Sequence, residues 1–277
     1  MEKNQPFITV FTPNYNNSKY ISETIESIIN QTYKNFEYII IDDCSTDNSW
    51  KIIQKYSQMD KRIKCYRNDR NLKIVGTRNK GFLNSSPKAK YFSIIDSDDV
   101  AFPQRLEKQI IFLENNSDYG LVGSNAVIIN EKSEFIGYRN YPSDDHEIRK
   151  IITRINPFTQ SSVTLRKDII NIIGLYDKKW FVCQDYDYWL RVGRKWKLRN
   201  LSEPLIKYRL NSGQVKNKFL KETLINTFKI QKKAIREYGY NDSIFAISQR
   251  ILLKFLISFS KLAYILYKFN IKYIQKK

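Results

Sequence analysis

The chain has 277 residues, which suits one large domain or one domain with an appendage. Lysine and arginine number 47 against 28 acidic residues, and the formal charge of +19 favours an anionic partner such as nucleic acid, anionic lipid or a phosphorylated substrate. Three widely spaced cysteines argue against a disulfide framework or a zinc site, so we expect a reducing, cytoplasmic location. The sequence shows neither a signal-peptide pattern nor an uncharged apolar run long enough to span a membrane.

The chain up to residue 96 alternates short apolar runs with segments of helical periodicity. Each run has the length and composition of a strand, and each helical segment carries apolar residues on one face. This alternation predicts an α/β fold with a mostly parallel sheet and helices on both faces. The predicted strands are residues 7–12, 36–41, 62–66 and 91–96, and the helices between them begin after Ser18, after Thr46 or Asp47, and near Val75.

Carboxylates follow two of these predicted strands. The second strand ends in Asp42 and Asp43, and the fourth ends in Asp96, Asp98 and Asp99. The carboxyl ends of parallel strands meet at one sheet edge, where open α/β sheets bind ligands. Several carboxylates so close together need a cation or raised pKa values, and their hard oxygens suit Mg²⁺ or Mn²⁺ held with substrate phosphates. The sequence therefore predicts a metal and phosphate site at this edge.

Three other features suit a binding site, although each has an ordinary structural explanation. Tyr15 could stack on a base or lie on the surface. Arg78, at a helix start, could pair with a diphosphate or be a surface arginine. Residues 184–189 mix acids and aromatics, which suits a helix cap with core residues or a base beside a sugar-stacking platform. The chain lacks the glycine-rich fingerprints of dinucleotide-binding and P-loop proteins, so both classes lose support.

The pattern beyond residue 103 is less regular. A helix with a buried apolar face follows Pro103, and later segments alternate less clearly. Near Ser212 and Gly213 the pattern changes to long helices without strands. The predicted elements between these points are strands at residues 120–130 and 161–165, helices at residues 146–155 and from Asp185 onward, and one or two strands at residues 196–210.

Taken together, the motifs resemble those of family 2 glycosyltransferases of the GT-A fold, the group that builds bacterial surface polysaccharides. The resemblance covers roughly residues 6–211, and the order and separation of its motifs are highly specific. It implies a Rossmann-like GT-A catalytic domain, here residues 1–213, with residues 214–277 as a helical extension. The carrying motifs lie at residues 12–16, 41–47, 76–81, 96–99 and 184–187.

The resemblance also implies an activity and roles for single residues. The enzyme would move a sugar, with inversion, from a nucleotide-sugar donor, usually UDP-linked, to a hydroxyl on a glycan or lipid-linked glycan. A Mn²⁺ or Mg²⁺ ion would neutralise the leaving diphosphate. The implied roles are a nucleotide pocket lined by Pro13, Tyr15, Asp43 and Arg78, a ribose contact at Asp96, a metal ligand at Asp98, and a general base at Asp185.

The chain departs from the family pattern at two positions. Gln184 stands where the family usually has a glutamate next to the base, which would alter the pKa of Asp185 or its acceptor contacts. Asn211 stands where many relatives have a histidine on a mobile loop near the metal. The second departure questions whether this loop supplies a protein ligand.

Two other functions remain open from the sequence. The segment from Asp96 to Val100 matches the D-x-D-x-[TV] pattern of haloacid-dehalogenase-type phosphatases, in which Asp96 would be a phosphorylated nucleophile. Its position after three β/α units and the lack of a later Gly-Asp-x-x-x-Asp weigh against it. The charge of +19 suggests nucleic-acid binding, but the lysines are spread along the chain rather than gathered on a recognisable reading module.

The tail at residues 248–277 predicts an amphipathic helix. Its cations project onto one narrow stripe, and the remaining apolar face is too wide for a lone surface helix. This face would pack on the catalytic domain or on a second subunit, or lie in the cytoplasmic leaflet of the cell membrane with its lysines near anionic headgroups. The cations of the stripe are Arg250, Lys254, Lys261, Lys268 and Lys272.

Overall fold

A computed structural model of the chain describes residues 5–211 and 218–258. Its strands are β1 (Ile8–Asn14), β2 (Phe36–Asp42), β3 (Ile63–Arg67), β4 (Tyr91–Ile94), β5 (Val100–Ala101), β6 (Tyr119–Ile129), β7 (Phe135–Arg139), β8 (Thr164–Arg166) and β9 (Lys197–Arg209). Its helices are α1 (Ile21–Ile29), α2 (Ser49–Met59), α3 (Lys73–Leu83), α4 (Arg105–Asn115), α5 (Asp145–Ile151), α6 (Asp168–Ile173), α7 (Gln184–Gly193), α8 (Leu220–Tyr238) and α9 (Ile244–Ser258), with a 3₁₀ helix at Gln160–Ser162.

The strands form one mixed sheet in the order β3-β2-β1-β4-β8-β6-β9-β5, with β7 paired to the side of β6. The half that contains β1 to β4 is parallel, as the sequence predicts, and β8 runs antiparallel between β4 and β6. Asn14 lies opposite Asp42 at the carboxyl ends of β1 and β2, next to the carboxyl end of β4. The α/β fold and the shared sheet edge are therefore confirmed.

The sheet has an apolar core on each face, which explains why β1, β2 and β4 read as continuous apolar runs. Phe11 of β1 faces one core and Val10 faces the other. Ile230 and Ala234 of α8 belong to the same core as Phe11, so the first helix after residue 213 packs on the sheet domain. The division of the chain at residue 213 stays a prediction.

Several elements differ from the sequence prediction. Ser18 does not cap α1, because the helix begins at Ile21 with Tyr20 in the capping position and no side-chain cap bond. The backbone N–H of Ser18 donates to Asp47 Oδ2 at 2.9 Å. Helix α5 begins at Asp145, where Asp144 accepts from the Glu147 N–H at 3.0 Å, and it ends at Ile151 rather than at residue 155. Strand β7 and helix α6 were not predicted. Short elements such as these lack the apolar periodicity that identifies longer ones.

The C-terminal region ends, as far as it is described, with α8 and α9. Arg250 and Lys254 lie on α9, whereas Lys261, Lys268 and Lys272 of the predicted cationic stripe lie outside the described residues. Arg250 is buried and Lys254 is exposed, so the described part of the stripe does not share one environment. None of the described helices combines the length and hydropathy needed to cross a bilayer.

Candidate active site

Asp96 follows β4 at the carboxyl edge of the sheet and is half-buried. Its Oδ1 accepts a hydrogen bond from Nη2 of Arg78 at 2.6 Å, which joins α3 to the turn after β4. The backbone N–H of Asp96 donates to Ser161 Oγ at 3.0 Å. Arg78 is buried, and its Nε has no hydrogen-bond partner in the described part of the chain. The predicted diphosphate and ribose residues are therefore in direct contact.

Asp98 lies two residues further along the same turn. Its Oδ2 accepts from the side-chain amide of Asn211 at 2.7 Å, so the position where many relatives carry a histidine contacts the predicted metal ligand. Burial raises the pKa of Asp98 to about 6, and the neighbouring negative charge of Asp96 adds to the rise. A carboxylate in this environment favours a nearby cation.

Asp99, the third acid of the turn, is buried and anchors the structure around the other two. It accepts hydrogen bonds from Ser161 Oγ and from the backbone N–H of Arg209, the latter at 2.8 Å. Burial raises its pKa well above the ordinary value, and the charges of Asp98 and Asp96 raise it further. These contacts fix the end of β9 beside the turn, two residues before Asn211.

The acids after β2 divide into two roles. Asp42 is fully buried and accepts from Asn14 Nδ2 at 2.8 Å and from the Ser45 N–H at 2.9 Å, so it holds the loops together. Asp43 accepts from Asn68 Nδ2 at 2.8 Å and from the Leu72 N–H at 2.7 Å. Asp43 thereby fixes the segment that leads into α3, the helix of Arg78.

The loop after β1 carries the remaining residues of the predicted nucleotide pocket. Pro13 is buried opposite Ile41 of β2. Tyr15 is 50% exposed, which leaves a ring face available at the sheet edge. Asn17 Nδ2 donates to Ser97 Oγ at 2.9 Å and so ties this loop to the acidic turn after β4.

Asp185 occupies the first turn of α7 and approaches the same edge from the other half of the molecule. Its Oδ2 accepts from the side-chain amide of Asn156 at 2.8 Å. Burial raises the pKa of Asp185, while the positive charge of Arg78 opposes this rise. The negative charges of Asp96 and Asp185 both raise the pKa of Arg78. The predicted base is therefore close enough to the predicted donor site to interact with it electrostatically.

Asp187, two residues after Asp185, has a structural role. It is fully buried, its Oδ2 accepts from Arg191 Nε at 2.9 Å, and its Oδ1 accepts from the Tyr238 hydroxyl at 2.9 Å. Tyr238 is the last residue of α8. Asp187 therefore joins α7 to the C-terminal helices and leaves Asp185 as the acid of this segment that faces Arg78.

The side chains at this edge suit a divalent cation that is bound by the protein and by the substrate together. Among residues 5–211 and 218–258, no three histidine, cysteine or acidic side chains are grouped to form a metal site made of protein alone. Mg²⁺ and similar ions are often bound instead by one or two carboxylates together with substrate phosphates. Asp98 and the amide oxygen of Asn211 are hard ligands of this type, so the residues present fit such an ion.

A concave region lies at the other edge of the sheet, opposite the acids described above. This cleft of about 480 Å³ includes Arg149, Trp196 and Tyr240 in its lining. Two ion pairs lie in this cleft: Arg149 Nε is 2.7 Å from Asp145 Oδ2, and Lys197 pairs with Asp118. The acids after β2 and β4 are not part of it, so we place the candidate active site at the carboxyl edge.

Comparison with known proteins identifies the family of the chain. The family model described as Glycosyl transferase family 2 matches residues 9–174, more than half of the chain. The chain belongs to this family. This family 2 glycosyltransferase is 33% identical over 241 residues to the O-antigen biosynthesis glycosyltransferase WbnJ of Escherichia coli. The alignment covers 83% of this chain and 88% of WbnJ.

Solved structures show the same GT-A fold. S. aureus TarS in complex with UDP superimposes with a TM-score of 0.61 at 18% identity, covering 83% of this family 2 glycosyltransferase and 65% of the TarS chain. The mannosyltransferase PcManGT of Pyrobaculum calidifontis, in complex with GDP-Man and Mn²⁺, gives a TM-score of 0.64 at 11% identity, with 90% and 69% covered. The phosphatase and nucleic-acid-binding alternatives find no support in these comparisons.

The structure adds site residues that the sequence analysis did not select. Asn156 contacts Asp185, Asn68 contacts Asp43, and Arg209 and Ser161 hold the acidic turn. Asn156 had a local signal, because it precedes a proline and so predicts a turn. The other three residues carry no local pattern that separates them from ordinary surface or strand positions.

Proposed function

We propose that this glycosyltransferase transfers a sugar, with inversion, from a UDP-sugar to a hydroxyl on a glycan or lipid-linked glycan in surface polysaccharide synthesis. One observation carries the proposal: Arg78 pairs with Asp96 at the sheet edge where Asp98 lies, and the charges of Asp96 and Asp185 both act on Arg78. Phosphate-binding, metal-binding and proton-accepting groups are thus available in one site. The polysaccharide context is supported by the similarity to WbnJ, an O-antigen biosynthesis enzyme.

The donor would bind across the ends of β1, β2 and β4. In this proposal Pro13, Tyr15 and Asp43 line the nucleotide pocket, with the exposed ring of Tyr15 available to the base. Arg78 contacts the diphosphate through its planar guanidinium, and Asp96 contacts the ribose. TarS, which shares the fold, was solved in complex with UDP, and the proposal takes its uridine nucleotide from this neighbour.

Asp98 would hold a Mn²⁺ or Mg²⁺ ion together with the donor diphosphate, and Asn211 lies beside it, donating to Asp98 Oδ2 at 2.7 Å. When bound, such an ion neutralises the negative charge that develops on the leaving nucleoside diphosphate. PcManGT, which shares the fold, was solved with Mn²⁺ and a nucleotide sugar, and this supports the assignment. The Asn211 amide keeps the Asp98 carboxylate oriented toward the site.

Asp185 would act as the general base. As the acceptor hydroxyl attacks the anomeric carbon, Asp185 takes its proton, and the bond from the sugar to the diphosphate oxygen breaks with its electron pair leaving on the nucleotide. A single displacement inverts the anomeric configuration. Burial raises the pKa of Asp185, so its carboxylate is a better proton acceptor than an exposed one.

A donor panel tests the proposal. The full chain is incubated with UDP-, GDP- and dTDP-sugars, Mn²⁺ or Mg²⁺ and a broad set of glycan and lipid-linked acceptors, and release of nucleoside diphosphate is measured. We expect turnover with a UDP-sugar that requires the added cation and is absent in Asp185→Asn. Turnover with a GDP- or dTDP-sugar alone would refute the uridine assignment. The absence of both turnover and nucleotide binding across the panel would refute the whole proposal.

A further inference from the structure

Helix α9 presents a row of large apolar side chains to solvent. Ile244 is 82% exposed, Phe245 is 70% exposed and Ile251 is 67% exposed. Their spacing follows the helical repeat, so they form one continuous stripe along the helix. We call this stripe the α9 face: Ile244, Phe245, Ile247, Ile251 and Leu252. Contiguous apolar surface of this kind marks an interaction site in a folded protein.

The opposite side of α9 is already packed on the rest of the protein. Ala246, Arg250 and Leu253 are buried there. Arg250 forms an ion pair with Asp242, just before the helix, and the Ser243 hydroxyl accepts from the Ala246 N–H at 3.1 Å. Rotating α9 to hide its exposed face would break these contacts and expose buried groups. The α9 face therefore needs a partner outside the described fold.

The charged residues in and after α9 indicate which partner the α9 face binds. Residues 243–277 contain seven lysines and arginines and no acidic residue. Lys254 is exposed on α9, and the guanidinium of Arg154 lies 5.7 Å from the ring centroid of Phe245, at the side of the α9 face. A second copy of the chain, docked symmetrically on this face, would bring like charges together. Residues 259–277 also contain lysines and no acidic residue, so they offer no opposite charge to the cations beside the α9 face.

We propose that the α9 face binds an anionic lipid bilayer, with the helix lying in the plane of the interface. Its five apolar side chains would enter the boundary between headgroups and acyl chains, while the exposed Lys254 stays at the level of the headgroup phosphates. Each lysine or arginine near such a surface adds attraction to anionic lipids. This inference goes beyond the proposed function and does not depend on it, because it concerns a surface that is separate from the donor site.

Vesicle co-sedimentation of the full chain tests this proposal. The lipids are phosphatidylcholine alone or phosphatidylcholine with phosphatidylglycerol, and the variant is the double substitution Phe245→Glu with Ile251→Glu. The control is Met59→Glu with Ile111→Glu, which changes two exposed apolar residues elsewhere and alters the net charge equally. We expect partitioning onto the anionic vesicles that falls at least about tenfold in the α9 variant and stays within about threefold in the control, because burial of one large apolar side chain already gives a factor near ten.

Three outcomes would overturn the proposal. They are that the unaltered chain does not bind vesicles, that both double variants lose vesicle binding equally, or that the unaltered chain partitions equally onto neutral and anionic vesicles. A dimer that the α9 variant converts to a monomer, without any vesicle binding, would assign the face to a second copy instead. Thermal melting and nucleotide binding are measured on every variant, because both should be unchanged. Failure here is therefore distinct from failure of the donor assignment.

Discussion

The guanidinium of Arg78 and the carboxylate of Asp96 form an ion pair with 2.6 Å between Nη2 and Oδ1. Arg78 is buried on α3, and Asp96 is half-buried just after β4, so the pair links the helix to the carboxyl end of the strand that follows it in the chain. The positive charge of Arg78 also opposes the burial that raises the pKa of Asp185. One side chain thus influences both the predicted ribose contact and the predicted base.

Replacing Arg78 by lysine should weaken nucleotide binding. Lysine keeps the charge but lacks the planar, multi-donor group that can contact Asp96 and a diphosphate together, so we expect the Kd for UDP to rise about tenfold or more. Isothermal titration calorimetry in the presence of Mn²⁺ measures this change. Arg236→Lys, an exposed position on α8, is the matched control and should bind normally. Unchanged affinity in Arg78→Lys would contradict the assignment.

The pH dependence of turnover should follow Asp185. The base works in its ionised form, and burial raises its pKa, so activity should be present above that pKa and lost as the pH falls through it. The Asn156 amide stabilises the ionised form and lowers the pKa. Asn156→Ala should therefore move the acid limb of the kcat profile to higher pH, whereas Asn115→Ala, at an exposed position on α4, should not. A limb that stays fixed or moves to lower pH would exclude this role for Asn156.

Much of the fold followed from local pattern, because strands buried on both faces and amphipathic helices have distinct periods. Strands β1, β2 and β4 are of this kind, and the acids at the ends of β2 and β4 lie where the pattern placed them. Arg209 shows why the rest could not be predicted. It is fully buried although it is an arginine in a strand, and its partners include Glu23 and Asn130, which are distant in sequence. Only the folded chain brings these groups together.

Substitutions at Asp98 and at Asp185 should affect different steps, nucleotide binding and turnover respectively. Asp98→Ala removes the proposed metal ligand and should weaken nucleotide binding only when Mn²⁺ or Mg²⁺ is present. Asp185→Asn should leave nucleotide binding nearly intact and reduce kcat by roughly 10²–10⁴-fold, the usual contribution of general-base catalysis. Nucleotide titrations with and without metal, together with single-turnover rates, measure both effects. Equal loss of nucleotide binding in the two variants would refute this division of roles.

Gly81 is needed where α3 approaches β1 most closely. A Cβ added at this position would lie 2.6 Å from Cδ2 of Phe11, a ring packed in the core, so neither atom could move away easily. Gly81→Ala should therefore destabilise the protein by about 1–3 kcal/mol, the usual cost of overpacking. Urea denaturation measures the change. Equal stability of Gly81→Ala and the unaltered chain would contradict the argument.

Arg209 should be the anchor that keeps the acidic turn in place. Its Nε donates to the Asp98 carbonyl at 2.8 Å and its Nη1 donates to the Asn130 carbonyl at 3.1 Å, while its backbone N–H donates to Asp99. Arg209→Ala keeps the last of these bonds but leaves the Asp98 carbonyl without its donor and removes the ion pair with Glu23. We therefore expect a loss of roughly 2–4 kcal/mol in the free energy of unfolding.

The same substitution should also loosen Asp98, because the carbonyl that Arg209 holds belongs to that residue. We expect Arg209→Ala to require a higher Mn²⁺ concentration for half-maximal nucleotide binding, measured at a temperature where the variant is fully folded. Arg236→Ala, on the exposed side of α8, removes an equal charge and should change neither stability nor the metal requirement. A destabilised Arg209→Ala with an unaltered metal requirement would limit Arg209 to stabilising the fold, since the position of Asp98 would then not depend on it.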